Sequence, residues 1–242
     1  MSFPVFGVRP RLVPTVSAGL AFLVLIGLGT WQVERLQWKT ALLRDIAERM
    51  STEPTLLPGP PFAVMEYERV RATGHFLNDR ELHLFARSDK GQIGYDILTP
   101  LVLDRGGAVL VNRGYVPTDR RDPATRRDGE VPGTVTVTGI VRIPRKPMLS
   151  WLLPDNKPDQ NQWIWTDLPA MAASIGVQPL APFVIEADAT PNPGGLPVGG
   201  QTRLNIPNDH LQYALTWYAL AAILAVMFVV YHRRQAKEGK QP

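Results

Sequence analysis

The sequence predicts a membrane protein in which two transmembrane helices, one near each terminus, flank a mostly β domain of the α+β class, folded as a small barrel or sandwich. Two segments carry no charged residue, namely Leu12 to Val33 and Leu211 to Tyr231. A bilayer core requires about 20 apolar residues in a helix, so both segments are long enough to cross it. Between them the apolar residues alternate with polar ones, which is the pattern of short strands.

These observations divide the chain into five parts. The first span is too long for a signal-peptide core and lacks a convincing small-x-small cleavage site. The predicted parts are an N-terminal tail (1–11), a first span (12–33), a mostly β domain that includes a helical extension of that span (34–210), a second span (211–231) and a C-terminal tail (232–242).

Charge predicts the orientation of the spans. The two tails together hold six Lys or Arg residues against one Glu, whereas residues 34–210 hold 20 basic against 21 acidic residues. Because positive segments stay in the cytoplasm, we expect both termini there and the central domain on the other side. The high isoelectric point therefore indicates topology, and no basic patch for nucleic acid is expected.

The membrane itself is predicted to be a bacterial inner membrane, because the short N-terminus does not resemble a transit peptide. The central domain would then be periplasmic. The chain has no cysteine, which excludes disulfides, thiolate metal sites and a cysteine nucleophile.

The central domain begins as a continuation of the first helix, since residues 34–50 are good helix formers and prolines follow in "STEPTLLPGPP". One short helix is predicted in "DLPAMAASIG", between an Asp cap and Gly176. "DRGG" at 104–107 predicts a hairpin turn. Seven short strands are predicted, at 67–76, 81–87, 95–103, 108–116, 134–143, 162–167 and 182–188.

This domain lacks the common catalytic patterns. It has no P-loop, no G-x-S-x-G elbow and no H-E-x-x-H zinc helix, so an enzyme is not predicted. His75 and His83 fall on consecutive predicted strands, but two histidines without a third ligand are more often surface residues than a metal site. The arginines of "RDPATRRDGE" (121–130) are expected in a solvated loop.

The outer end of the first span is rich in aromatic and polar residues. Trp31, Arg35 and Trp38 recur at helical spacing and share one face. They fit an interfacial belt of aromatic and cationic anchors. Gln32, Arg35 and Lys39 also stack on one side, so they can instead direct polar groups at one spot near the interface.

The second span begins with a histidine. His210 heads a stripe that continues through Ala214, Trp217, Ala221 and Ala225, whose small residues let a helix or a flat ligand approach closely. One interpretation is ordinary packing against the first span, with His210 capping the helix. The other is a haem site, since neutral imidazole is the usual protein ligand of haem iron.

In the haem interpretation, Trp217 would flank the ligand. Arg35, Lys39 and Arg203 near the aqueous rim would pair with the propionates, and the apolar tail would lie along the spans.

Four segments resemble the surfeit locus protein 1 family, whose members are assembly factors of haem-copper cytochrome c oxidases. The segments are "LGTWQVERLQWK", "LVNRGYVP", "VIEAD" and "GGQTRLNIPNDHLQYALTWYALA", and the resemblance covers nearly the whole chain, including its two spans. The chain has Tyr115 where the family often has Trp. The bacterial type of this family is predicted.

The resemblance implies a non-enzymatic role, the insertion of haem a into subunit I of the oxidase. It also implies that haem a binds a histidine in the second-span motif, which His210 matches. Its partners would be subunit I and, with it, haem A synthase and other assembly factors. A haem-independent scaffold or chaperone for nascent subunit I, and a membrane enzyme acting on haem or lipid, are the alternatives. The predicted pocket residues are Trp31, Gln32, Arg35, Arg203, Tyr213 and Trp217.

Overall fold

A computed structural model of the chain describes residues 12–88, 91–202 and 207–238. Contacts divide the chain into two units. One consists of the terminal segments 1–45 and 205–242, and the other is the central segment 46–204. The first unit holds two long helices and the second holds the β domain, so each is described by itself.

The helical unit is built from α1 (Leu12–Ser51) and the helix at the other end of the chain, α3 (His210–Glu238). Each contains a window with a mean hydropathy of 2.1 and is long and apolar enough to cross a membrane. Two apolar helices flanking a mostly β domain in sequence confirm the predicted fold class.

The central unit is a small closed barrel. Its strands are β1 (Thr55–Leu56), β2 (Arg69–Phe76), β3 (Leu82–Arg87), β4 (Ile93–Leu103), β5 (Ala108–Pro117), β6 (Thr134–Arg142) and β7 (Leu180–Ala187). The strand order is β1-β2-β6-β7-β5-β4-β3, and an additional pairing between β2 and β4 closes the ring. Five strands therefore form the barrel, while β1 and β3 extend it at the side. Of the two folds left open, barrel and sandwich, the barrel is the one that forms.

Most neighbouring strands are antiparallel, but β1 and β2 are parallel, and within the barrel so are β5 and β7. Residues 108–111 of β5 and 183–185 of β7 are apolar throughout because both faces of these stretches are buried. On β5, Val109 and Val111 point into the barrel, whereas Leu110 belongs to a second apolar cluster on the outside. The short helix α2 (Leu168–Ile175) covers that outer cluster through Met171 and Ile175.

The local signals for α2 and for the β4–β5 turn are confirmed. The Asp167 carboxylate accepts a hydrogen bond from the backbone N–H of Ala170 (3.2 Å). The helix ends at Gly176, whose φ of +65° is the left-handed cap that glycine adopts without strain. The turn at 104–107 places Gly106 and Gly107 at positive φ and lets Leu103 N–H donate to Gly107 O (3.0 Å).

The strand predicted at 162–167 is wrong. Only single bridges form there, between Trp163 and Leu84 and between Gln162 and Lys157. The Trp163 ring is fully buried in the outer apolar cluster. Asn156 Oδ1 accepts from the N–H of Ile164 (2.8 Å), which gives that backbone a side-chain partner in place of a neighbouring strand. The alternation of apolar residues at 162–167 therefore reflects the burial of the Trp163 ring and not a strand.

Short 3₁₀ turns complete the connections. Within the described residues they are Asn78–Arg80, Thr118–Arg120, Pro123–Thr125, Arg127–Gly129, Ser150–Leu152, Pro158–Gln160 and Pro193–Gly195.

Candidate functional site

The candidate site lies in the helical unit, where the start of α3 meets α1. The segment before α3 is fixed by Lys39, whose ammonium donates to Pro207 O. Asn208 Nδ2 lies 3.5 Å from Thr40 Oγ1. Pro207 has no backbone N–H, so a helix could not run through it without losing a hydrogen bond. The helix α3 begins three residues later, at His210.

His210, the first residue of α3, contacts Gln32 on α1. Its Nδ1 lies 2.7 Å from the amide oxygen of Gln32. Because a carbonyl oxygen only accepts, Nδ1 donates this hydrogen bond, and in the neutral imidazole the lone pair then lies on Nε2. No hydrogen bond from Nε2 to any described residue is seen. Histidines that bind metals are usually oriented in this way, by a hydrogen bond from the other ring nitrogen.

The glutamine that holds His210 is itself buried, with 9% of its surface exposed. A buried amide requires partners for its polar atoms. The amide oxygen of Gln32 has its partner in Nδ1 of the imidazole, at the contact between the two helices.

The other predicted pocket residues are placed less specifically. Trp31 and Tyr213 are about half exposed, at 50% and 55%, and Arg35 is exposed with its guanidinium 5.0 Å from the ring centroid of Trp38. Trp217 is half-buried. Arg203 lies outside the described residues. The structure thus brings His210 and Gln32 into contact. Of the other predicted pocket residues that it describes, Trp31 and Arg35 lie on α1, and Tyr213 and Trp217 lie on α3.

The small residues of α3 lie in the helix contact. Ala214 and Ala221 are 2% and 1% exposed. Opposite them, a Cβ on Gly29 would lie 2.6 Å from a ring carbon of Tyr218, so glycine is what allows this aromatic ring to reach the α1 backbone. Thr30 Oγ1 donates to Ile26 O (3.0 Å), and the hydroxyl of Tyr218 therefore donates to Thr30 Oγ1 (3.2 Å).

Farther along the helices, an apolar cavity of about 310 Å³ opens between Thr15, Ala18, Gly19 and Phe22 of α1 and Leu224, Ala225, Phe228 and Val229 of α3. One of its lining residues is Ala225, the last residue of the predicted stripe that begins at His210. Small residues at a helix contact fit close packing as well as a ligand.

The barrel holds a separate cluster of buried charged groups. Glu81 and Arg126 form a buried two-bonded ion pair, and Glu81 Oε1 also lies 2.8 Å from His83 Nε2. Burial by itself would raise the pKa of Glu81, but the hydrogen bonds from His83 and Arg126 outweigh it, and the pKa lies below its ordinary value of 4.5.

Arg126 corrects the sequence interpretation, because it is buried at 7% exposure although it belongs to the segment predicted as a solvated loop. His83 is also buried and bonded to charged partners, while His75 is exposed on β2. Among the residues that the structure describes, no group of three or more His, Cys, Asp or Glu side chains could hold a metal ion.

The chain is thus a protein with two membrane-length helices, joined by a histidine–glutamine contact, and with a closed five-stranded barrel encoded between the two helices. The model of the SURF1 family matches residues 19–222. The chain belongs to the SURF1 family.

Similar proteins span most of the chain. A SURF1-like protein of Monosiga brevicollis is 41% identical over 224 residues, which is 87% of this chain and 84% of that protein. Surfeit locus protein 1 of Mus musculus is 39% identical over 86% of this chain and 73% of its own length. The Takifugu rubripes protein of the same name is 38% identical over 86% and 94%.

The family is known for assembly factors of cytochrome c oxidase, so membership supports a general role in oxidase assembly and not a catalytic one. The relatives named above are eukaryotic, and the bacterial type therefore stays a prediction.

Sequence reasoning included Gln32 in the pocket but missed its specific role as the partner of His210. The two residues lie 178 positions apart, and no local pattern links them. It also missed Glu81 as the centre of the buried charges. The one signal available was an acidic residue directly before the apolar strand "LHLF".

Proposed function

We propose that the chain binds haem a at His210 and assists its insertion into subunit I of cytochrome c oxidase. The observation that carries the proposal is the 2.7 Å contact between His210 Nδ1 and Gln32 Oε1. It fixes the tautomer in which Nε2 is the lone-pair nitrogen, and that is the form in which imidazole binds iron. The donor set therefore fits haem.

Each residue has a limited role in this proposal. His210 would supply the axial ligand, Gln32 would hold the imidazole in orientation, and Trp31, Tyr213 and Trp217 would provide aromatic surface. Arg35 and Arg203 would pair with carboxylates at the aqueous rim. Haem a, when bound, supplies the iron and the apolar tail, and the chain supplies the surface that shields them from water.

The partners in this proposal are oxidase subunit I and, beyond it, haem A synthase and other assembly factors. The membrane would be a bacterial inner membrane, with both termini cytoplasmic and the barrel periplasmic. The surplus of basic residues in the two tails supports this orientation.

A topology test uses reporter fusions in the full chain. Alkaline phosphatase, which is active only outside the cytoplasm, should be active when fused near Gly91 and inactive when fused after Lys240. The reverse pattern would contradict the proposed orientation.

The ligand test replaces the histidine. His210→Ala removes the lone pair that would bind iron, so haem binding should weaken at least about a hundredfold, which corresponds to about 2.7 kcal/mol. The variants would be purified in detergent from one haem-a-producing host. The absorption spectrum and the haem content per chain are the measurements, with circular dichroism to establish folding.

The matched control is His75→Ala, which removes an exposed histidine from β2 and should leave both spectrum and haem content unchanged. A folded His210→Ala protein with full haem content and an unchanged spectrum would refute iron ligation by this residue.

A haem-independent scaffold for nascent subunit I is the second candidate. It is favoured by the burial of Ala214 and Ala221, because these residues already have a packing role in the helix pair. Under this alternative, the His210–Gln32 contact only ties two helices together. Wild-type protein would then carry no haem after purification from the same host, yet its deletion would still lower the oxidase level.

A further inference from the structure

The motif "LVNRGYVP" contains a buried arginine that the proposed haem function does not use. Arg113 lies on β5 and is only 3% exposed. A charged side chain is seldom buried to this degree unless it is paired, because the loss of water around the charge is unfavourable. A buried guanidinium such as that of Arg113 is therefore expected to have a negatively charged partner.

The guanidinium is held at one nitrogen and lacks a partner at another. Nη2 donates to Gly129 O and to the Asn192 side-chain oxygen (2.9 Å), and the guanidinium carbon lies 4.7 Å from the ring centroid of Phe76. Nε is buried and forms no hydrogen bond with any described residue. No described carboxylate lies within ion-pair distance of the group, and its hydrogen-bond partners are neutral.

The charged groups near Arg113 balance its charge only in part. Glu81 is already paired with Arg126 and hydrogen-bonded to His83. Glu130 is exposed to solvent. Burial lowers the pKa of Arg113, and although attraction from Glu81 and Glu130 raises it and repulsion from Arg126 lowers it, the pKa lies below its ordinary value. The buried groups here therefore carry more positive than negative charge.

Arg113 also lines a cavity of about 210 Å³ in the barrel, beside the core residue Val111. Other lining residues are Phe76, Thr136, Thr138, Asp188 and Asn192. The Asp188 carboxylate has partners of its own, since it accepts from the hydroxyl of Thr190 (2.6 Å) and lies 3.8 Å from Arg69.

We propose that this cavity binds a carboxylate group at Arg113. A guanidinium is a planar donor that matches a carboxylate, and Nε of Arg113 is a buried donor that no described residue satisfies. The volume fits a small monocarboxylate, or the carboxylate end of a larger molecule such as the C-terminus of an extended peptide. The site lies within the barrel and does not depend on haem binding by the helices.

The test measures the unfolding temperature of the full chain in detergent at pH 7. Sodium butyrate is the probe, and sodium chloride and sodium sulfate at equal ionic strength are the comparisons. A ligand that binds only the folded protein raises its unfolding temperature in a saturable manner. We expect a saturable increase of several degrees with butyrate and no such increase with chloride or sulfate.

Two variants locate the effect. Arg113→Gln should abolish the butyrate shift, and Arg113→Lys, which keeps the charge but loses the planar donor, should require at least about ten times more butyrate. Val131→Phe places a ring in the cavity and leaves Arg113 intact, so it should also abolish the shift even if Arg113→Gln proves unstable. The control Arg121→Gln removes an arginine that stacks on Tyr95 outside this cavity and should keep the shift.

Two short peptides of the same sequence, one with a free and one with an amidated C-terminus, distinguish the source of the carboxylate. Stabilisation by the free peptide at lower concentration than butyrate would assign the site to a chain terminus. Stabilisation by butyrate alone would assign it to a small free acid. The proposal is overturned if neither butyrate nor the free peptide stabilises the wild type, if sulfate acts equally, or if Val131→Phe responds as the wild type does.

Discussion

The barrel and the helix pair are stabilised by different environments. In the barrel, interior side chains such as Leu101, Val111 and Ile185 are fully buried by their own chain. In the helices, only 6% of the apolar window of α1 and 11% of that of α3 is buried within the protein. The barrel therefore folds by removing apolar surface from water, whereas the apolar surface of the helices is left for lipid.

The buried histidine of the barrel and the histidine at the start of α3 show the same contrast. His83 uses both ring nitrogens, since Nε2 lies 2.8 Å from Glu81 and Nδ1 accepts from Arg121 (3.0 Å). His210 uses Nδ1 for Gln32 and has no described hydrogen-bond partner at Nε2. A histidine whose nitrogens are both occupied stabilises a fold, while one with a lone pair available can bind a ligand. Substitutions should therefore affect stability in the barrel and binding in the helix pair.

The largest stability effect is expected from the barrel tryptophan. Trp163→Ala removes a fully buried ring from the outer apolar cluster and should lower the free energy of unfolding of the barrel by about 3–5 kcal/mol. Denaturant unfolding followed by circular dichroism is the measurement. Trp151→Ala is the matched control, because that side chain is 76% exposed and its loss should change stability by less than about 0.5 kcal/mol. Equal effects of the two substitutions would contradict the described burial.

The buried ion pair should give the next effect. Glu81→Gln leaves Arg126 buried without a counter-charge and should lower the free energy of unfolding by about 3 kcal/mol at pH 7. Glu66→Gln breaks the ion pair with the largely exposed Arg145 and should cost less than about 1 kcal/mol. If Glu81→Gln were as mild as Glu66→Gln, the buried pair would not be the stabilising element inferred here.

The same glutamate predicts a pH dependence. Its pKa is lower in the folded protein than its ordinary value of 4.5, so the folded state binds its proton less readily than the unfolded state does. The stabilisation is therefore complete above pH 4.5 and is lost as the pH falls through the folded pKa. Unfolding curves between pH 7 and pH 3 should show this acid loss in the wild type, and a smaller loss in Glu81→Gln.

The smallest effect is expected from the glutamine that contacts His210 in the helix pair. Gln32→Leu removes the acceptor that orients His210 and, under the proposed haem function, should weaken haem binding about tenfold to a hundredfold. The unfolding of the barrel should not change. Haem titration of the purified variant is the measurement, and Gln37→Leu, an exposed glutamine on the same helix, is the control. A barrel destabilised by Gln32→Leu, or an equal loss of haem with Gln37→Leu, would contradict the separation of roles.

Features that depend on local composition follow from the amino-acid sequence alone. Two uncharged apolar segments are sufficient to predict the two long helices, since length and hydropathy decide that property. The α2 cap, the glycine turn between β4 and β5, and most strands follow from neighbouring residues as well. The strand predicted at 162–167 failed because the ring of Trp163 is buried in a loop whose backbone bonds to Asn156.

Contacts between residues that are distant in sequence could be identified only from the folded structure. Examples are the pairing of β2 with β4, the burial of Arg113 and Arg126, and the contact of Gln32 with His210. Each of them depends on parts of the chain that are far apart in sequence, and no periodic pattern of residues links those parts. The physical reason is that a buried polar group is stable only beside its partner, and which group becomes that partner depends on how the strands and helices pack.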